Sequence, residues 1–114
     1  MTASDASSND EASYLYGLLR SYLALQDTPS RVRPADRRLA RSLFQQAVPL
    51  ALVRASFLVA SARRAFRQPG SPPLGAVRSL HYFLPVIEEL RHDPPDPAHL
   101  AYLSAKLVRP LPSR

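Results

Sequence analysis

Arginine is the residue type through which this sequence could act on another molecule. Of the 15 basic residues in the chain of 114, Lys106 is the only lysine and the others are arginine. A guanidinium group is planar and always charged, and its fork of donors matches a phosphate group and can stack on a base. The alternative explanation of this bias is a GC-rich genome, which also favours alanine, proline and leucine.

The arginines are concentrated in the middle of the chain. From Arg20 to Arg78 there are eleven arginines against only two acidic residues, Asp27 and Asp36, which gives a local balance of +9 (11 − 2). A block of this sign favours a polyanionic partner, and nucleic acid is the most common one. The alternative is a solvated basic surface that has no specific partner.

The candidate contact residues lie in two kinds of stretch. In the first, Arg37 and Arg41 are one helical turn apart and therefore share a face. In the second, Tyr82 could stack on a base while Arg78, one turn earlier, pairs with a phosphate; a ring at the edge of the core is the alternative. The predicted nucleic-acid-binding residues are Arg31, Arg33, Arg37, Arg38, Arg41 and Arg54, with Arg78 and Tyr82 as secondary contacts.

Other kinds of chemistry find little support in the sequence. The chain has no cysteine, which excludes disulfides and thiolate metal sites. Glu88 and Glu89 are adjacent on a predicted helix and so point to different parts of its surface, whereas acid–base catalysis needs convergent groups. The His92 to His99 stretch contains two histidines and two aspartates, but prolines interrupt it. We therefore expect no catalytic residue, no metal and no cofactor.

The element that must position the arginines is a long aliphatic stretch from Val48 to Arg67. Small and aliphatic residues occur on every side of it, which is typical of a helix buried in a core or a membrane. The part before Arg63 is too short for a membrane span, which needs about 20 apolar residues, and Arg54 interrupts it. We expect a buried central helix, and a protein that does not enter the membrane.

The rest of the chain predicts further helices around this one. We expect a first helix from Asn9 or Asp10 to Leu25, and a second from Pro34 with Leu39, Leu43, Phe44 and Ala47 facing inward. A fourth helix is expected from Leu74 to Arg91, with a kink near His81 to Leu84 that Pro85 causes. The last helix is expected from Pro97 to Val108. No alternating run predicts a strand. The prediction is an all-α compact bundle of four to five helices, in a single domain at 11–109 between a disordered tail at 1–10 and a C-terminal tail at 110–114.

The short turn from Ala47 to Pro49 makes the second and central helices resemble a helix-turn-helix pair. In that motif the early residues of the second helix enter the major groove. Here they are Leu50, Ala51 and Leu52, which offer no group that reads a base edge. We therefore expect contacts to phosphate rather than sequence-specific readout. The N-terminus is rich in serine and aspartate and lacks the features of a signal peptide, which predicts a cytoplasmic protein.

Several segments carry a resemblance to known proteins. They are Ala35 to Ala40, Ala47 to Leu50, Ala62 to Arg64 and Val77 to Glu89, within a matched range of about residues 14–91. These segments resemble a family of small, all-helical bacterial proteins, and in outline the C-terminal modules of DnaD-type primosomal proteins. That resemblance implies an accessory module, associated with replication or with a mobile element, that binds DNA or a protein partner. The winged hairpin and the ATPase motif of fuller replication proteins are absent, and no catalytic residue is implied.

Together, the residues and the resemblance predict a non-catalytic nucleic-acid-binding accessory protein that contacts phosphates, most plausibly of DNA, through arginines. The alternative is a protein–protein interaction module or homodimer without nucleic-acid binding. In that alternative, the docking face would be the first helix, with Tyr14 and Tyr22, or the kinked fourth helix.

Overall fold

The computed structural model describes residues 3–25, 28–29, 31–72 and 74–108, with the backbone alone at 3–9 and 108. Within these ranges the helices are α1 (Ala3–Leu23), α2 (Pro34–Gln45), α3 (Leu50–Ala65), a 3-10 helix η1 (Leu80–Phe83), α4 (Leu84–His92) and α5 (Pro97–Val108). No strand occurs in the described part of the chain. The prediction of a small all-α bundle is confirmed.

The prediction of a buried central helix is also confirmed, and the central helix is α3. It packs against α1, η1, α4 and α5. Val53 and Phe57 are at most 2% exposed, and the ring of Phe57 meets that of Phe83 edge-on at 4.9 Å. Ser56 is a buried polar residue, and its hydroxyl donates a hydrogen bond to the Leu52 carbonyl at 2.9 Å, which satisfies the hydroxyl locally. One strip of the helix, including Arg54, faces solvent.

The first helix is longer than predicted. It begins at Ala3, six residues before Asn9, so the predicted start was wrong, and residues 3–10 of the predicted disordered tail are helical. Alanine has the highest helix propensity and acidic residues favour a first turn, so residues 3–8 of this sequence suit a helix although Asn9 is a good N-cap. Residues 1–2 of that tail, the C-terminal tail at 110–114, and Asp27 and Ser30 of the predicted helix stop lie outside the described residues.

The second helix begins at Pro34 as predicted. Its inner face differs from the prediction: Asp36 and Ala40 are buried, and Ala47, expected inside, lies beyond the helix, is exposed and has a φ of +61°. The N–H groups of Ala47 and Val48 donate to the carbonyls of Phe44 (3.0 Å) and Leu43 (3.1 Å), which is a Schellman motif with alanine at the left-handed position. The connection to α3 is thus short because the chain reverses at Ala47.

The predicted fourth helix, Leu74 to Arg91, was wrong in its first half. Residues 74–79 are not helical, and η1 then leads directly into α4 at Leu84. Pro85 occupies the first turn of α4, where the missing N–H leaves no bond unmade. A proline that was expected to kink one helix instead begins a new one.

The last helix has the bounds predicted for it, Pro97–Val108. Leu103 is buried against α3 in a second apolar cluster with Ala55, Val59, Ala62 and Leu90, and Leu100 and Leu107 pack partly against it. Among the described helices, none combines the length and the apolar character that a membrane crossing requires.

Candidate nucleic-acid interface

A buried carboxylate organises the basic part of the surface. Asp36, in the first turn of α2, is fully buried. One of its oxygens accepts the backbone N–H of Arg33 at 3.0 Å, and the other accepts the backbone N–H of Leu80 at 2.9 Å. The segment that enters α2 and the segment that enters η1 are therefore held side by side by one side chain.

This arrangement brings several of the predicted contact residues together. Asp36 accepts the backbone N–H of Arg33 itself and that of Leu80, which lies two residues after Arg78. The Arg37 N–H donates to the Arg33 carbonyl at 3.2 Å. All are exposed, and so are their neighbours Arg31 and Arg38. We call this group the basic cluster: Arg31, Arg33, Arg37, Arg38 and Arg78. Within the described part of the chain, its side chains form no ion pair with a carboxylate.

The outward face of α2 extends the basic cluster. Asp36, Ala40 and Leu43 point into the core at helical spacing, which leaves Arg37, Arg38 and Arg41 on the opposite side. The Nε of Arg41 lies 3.4 Å from a carboxylate oxygen of Glu11 on α1. Exposed pairs of this kind contribute about 0–1 kcal/mol, so the bond leaves Arg41 able to exchange partners.

Arg54 is not joined to the basic cluster by any hydrogen bond or ion pair among the described residues. It lies on the exposed strip of α3 and reaches across to α1, where its Nε donates to the Ser21 hydroxyl at 3.2 Å. A Cβ atom on Gly17 would come within 3.2 Å of the guanidinium and 3.0 Å of a Leu50 methyl group. Gly17 therefore permits the close approach of α3 to α1, a role that its low helix propensity did not suggest.

Tyr82 lies on the exposed side of η1, and 42% of its surface is accessible to solvent. Its hydroxyl accepts a hydrogen bond from Arg64 at 3.0 Å, and the same guanidinium donates to the Gly75 carbonyl at 2.9 Å. The ring also meets that of Phe83 edge-on at 5.1 Å. Tyr82 is therefore a ring at the edge of the core that still presents surface to solvent.

Other arginines are neutralised within the fold. Arg63 donates two hydrogen bonds to the carboxylate of Glu89, at 2.9 and 2.6 Å, and so joins α3 to α4. These hydrogen bonds lower the pKa of Glu89 and raise the pKa of Arg63. Arg91 contacts Glu88 at 3.3 Å and the Gln46 side chain at 3.0 Å. These two arginines were not predicted contacts.

Two tyrosines of α1 pack into the bundle, Tyr22 buried and Tyr14 half-buried. The Tyr14 hydroxyl donates to the Val48 carbonyl at 2.7 Å, and burial raises the pKa of Tyr14 to about 12. Burial, with a smaller contribution from the Asp36 carboxylate, also raises the pKa of Tyr22 to about 12. The Tyr22 hydroxyl is completely buried and has no hydrogen-bond partner among the described residues. The sequence indicated only that both rings lie on the apolar stripe of α1.

Comparison of the chain with family models, with curated proteins and with solved structures finds no match. The resemblance to DnaD-type modules therefore stays a prediction. Among the described residues, no group of three or more histidine, aspartate or glutamate side chains is arranged to hold a metal ion. What the surface offers is a set of exposed guanidinium groups around the N-terminus of α2, with Arg54 on α3 and Tyr82 on η1.

Proposed function

We propose that this protein binds nucleic acid without catalysis, and that the basic cluster contacts the phosphates. The observation that carries the proposal is the shared carboxylate of Asp36, which gathers arginines from two distant segments while using both of its own oxygens internally. Its charge is therefore committed to backbone groups, and the exposed guanidinium groups around it have no carboxylate of their own within the described residues.

The position of the basic cluster supports an anionic partner. Arg33, Arg37 and Arg38 lie at the N-terminus of α2, where the aligned peptide dipoles already place partial positive charge. Cations at that end of a helix are unfavourable in isolation, and a phosphate would relieve this repulsion. The acidic residue of that turn, Asp36, is fully buried and already accepts two backbone N–H groups, so a bound phosphate would be the anion that meets these exposed cations.

Direct readout of base sequence is not part of the proposal. Leu50 and Leu52, early in α3, are half-buried and Ala51 is exposed, and none carries a polar side-chain group. Contacts to phosphate fix the orientation of a protein on nucleic acid but carry no sequence information. We therefore expect similar affinity for oligonucleotides of different base sequence.

Salt dependence tests the proposal. Five phosphate contacts to duplex DNA would give a slope of about −4.5 in log K against log salt, or a roughly 500-fold loss of affinity between 50 and 200 mM salt. Fluorescence anisotropy with labelled single strands, duplexes and RNA measures this slope. The double variant Arg33→Gln, Arg37→Gln should reduce its magnitude by about two.

Arg91→Gln is the control for loss of a positive charge elsewhere, because on α4 Arg91 already contacts Glu88. Its slope should stay near that of the parent protein. Absence of binding to DNA and RNA at about 50 mM salt, a regime in which such contacts are strong, would refute the proposal. A tight dimer in sedimentation that ignores oligonucleotides would favour the alternative, a protein–protein interaction module.

A further inference from the structure

A second part of the surface combines arginines with apolar and aromatic groups. Between α3 and η1 lies an open pocket of about 290 Å³. It is lined by the apolar residues Ala60 and Val86, by the exposed side chains of Leu74 and Tyr82, and by Arg63, Arg64 and Arg67. The volume is at the lower end of the range for ligand pockets, so it suits one small group.

The three arginines of this pocket are in different situations. Arg63 is neutralised by two hydrogen bonds to Glu89. Arg64 is oriented by the Tyr82 hydroxyl and the Gly75 carbonyl, with its guanidinium carbon 5.5 Å from the centre of the tyrosine ring. Arg67 is half-buried at the pocket and has no carboxylate partner among the described residues. The pocket therefore offers an apolar surface beside a cation that is not neutralised.

The chain leads from the basic cluster to the pocket through η1. The Leu80 N–H, two residues after Arg78, is bonded to Asp36, and Tyr82 follows two residues after Leu80. Leu80 and Phe83 point into the core, and His81 and Tyr82 are exposed, as Arg78 is. A strand whose phosphates lie on the basic cluster could reach the pocket without leaving the surface.

We propose that this pocket, the Tyr82 pocket, holds one unpaired nucleobase of a single strand, stacked on the Tyr82 ring with its phosphate at Arg67. This inference rests on the proposed function and adds to it a contact that only single-stranded nucleic acid can make. Aromatic side chains bind bases of any sequence because every base has a π-face, and a paired base in a duplex cannot enter a side pocket.

Tyrosine substitutions test the pocket against a matched site elsewhere. Tyr82→Ala should weaken binding of a labelled dT12 strand by about fivefold or more, since each stacked base contributes at least that much. It should leave the affinity for a 12-base-pair duplex nearly unchanged. Tyr82→Phe retains the ring and should retain most single-strand affinity, and Arg67→Gln should weaken single-strand binding without removing any part of the ring.

Tyr16→Ala is the matched control. Tyr16 is 66% exposed on α1, and its hydroxyl accepts a hydrogen bond from Arg20 at 3.1 Å, with the guanidinium carbon 5.8 Å from its ring centre. The Tyr16–Arg20 pair thus repeats the Tyr82–Arg64 contact at a place that does not line the Tyr82 pocket. The control should bind dT12 as the parent protein does.

A fluorescent reporter can be placed directly in the pocket because the chain has no tryptophan. In Tyr82→Trp, the single indole should be quenched when dT12 stacks on it, whereas Tyr16→Trp should show little change. Thymidine monophosphate, added at the same nucleotide concentration, should quench far less because it lacks contacts to the basic cluster. Equal quenching by the mononucleotide would contradict the proposal that the ligand of the pocket is a strand.

The outcomes separate the two proposals. Selective loss of single-strand affinity in Tyr82→Ala and Arg67→Gln, both folded by circular dichroism, supports the pocket. If both variants bind dT12 normally while Arg33→Gln, Arg37→Gln binds it weakly, the Tyr82 pocket is wrong and the proposed function stands. If the parent protein binds neither strand nor duplex, the proposed function fails first.

Discussion

The carboxylate of Asp36 accepts the backbone N–H of Leu80 across 2.9 Å, although the two residues are 44 positions apart in sequence. The same carboxylate accepts the Arg33 N–H, and the Asp36 N–H donates to the Arg33 carbonyl at 2.9 Å. One side chain therefore begins α2 and fixes the start of η1. The positions of Arg33 and Arg78 relative to each other depend on it.

Replacement of Asp36 should destabilise the fold strongly. Asp36→Ala leaves two backbone N–H groups without acceptors, one of them at the fully buried Leu80. Hydrogen bonds to charged groups contribute about 1.5–3 kcal/mol each, so we expect a loss of at least about 3 kcal/mol in urea unfolding. Asp93→Ala is the control: Asp93 is exposed, and the loss there should stay within about 0.5 kcal/mol. Similar losses in both variants would contradict a structural role for Asp36.

Tyr14 and Tyr22 should respond differently to removal of the hydroxyl. Tyr22→Phe removes a buried hydroxyl that has no partner in the described structure, so stability should stay equal or rise by about 1 kcal/mol. Tyr14→Phe breaks a 2.7 Å hydrogen bond to the Val48 carbonyl and should cost about 1 kcal/mol. Thermal unfolding of both variants measures the difference. A clear loss in Tyr22→Phe would mean that its hydroxyl has an acceptor in solution.

The helices that the sequence predicted well are those with local signals at their ends. Pro34 begins α2 and Pro97 begins α5, and each proline sits where its missing N–H leaves no bond unmade. The apolar content of α3 likewise predicted burial from residue types alone. These features depend on residues within one or two turns of each other, which is why the sequence reveals them.

The contacts between distant segments were not predictable in the same way. The Asp36–Leu80 bond and the Arg63–Glu89 pair join residues 44 and 26 positions apart, and both depend on how the helices pack. The only local signal at Asp36 was an acidic residue in the first turn of a helix, which usually indicates no more than a favourable dipole interaction. The candidate arginines were therefore named from the sequence, but their grouping required the fold.

Stability should fall in alkaline solution because of Tyr14 and Tyr22. Burial raises the pKa of each to about 12, above the ordinary value of 10, so each phenol stays protonated in the folded state where the unfolded chain would release the proton. The stability that the two protonated phenols contribute to the fold is fully present below pH 10 and is lost as the pH rises from about 10 to about 12. Urea unfolding at several pH values measures this slope. In the double variant Tyr14→Phe, Tyr22→Phe the slope should be smaller, and an unchanged slope would assign the alkaline loss to other groups.

The left-handed residue after α2 offers a stabilising substitution. Ala47 has a φ of +61°, and the left-handed conformation costs an L-residue with a Cβ atom roughly 1–2 kcal/mol. Glycine adopts it without that cost but loses more backbone entropy on folding, so Ala47→Gly should stabilise the protein by about 1 kcal/mol. Ala12→Gly is the matched control, since Ala12 is exposed within α1, where glycine should cost about 1 kcal/mol. Urea unfolding should therefore shift in opposite directions for the two variants. Destabilisation by both would show that Ala47 does not adopt the left-handed conformation in solution.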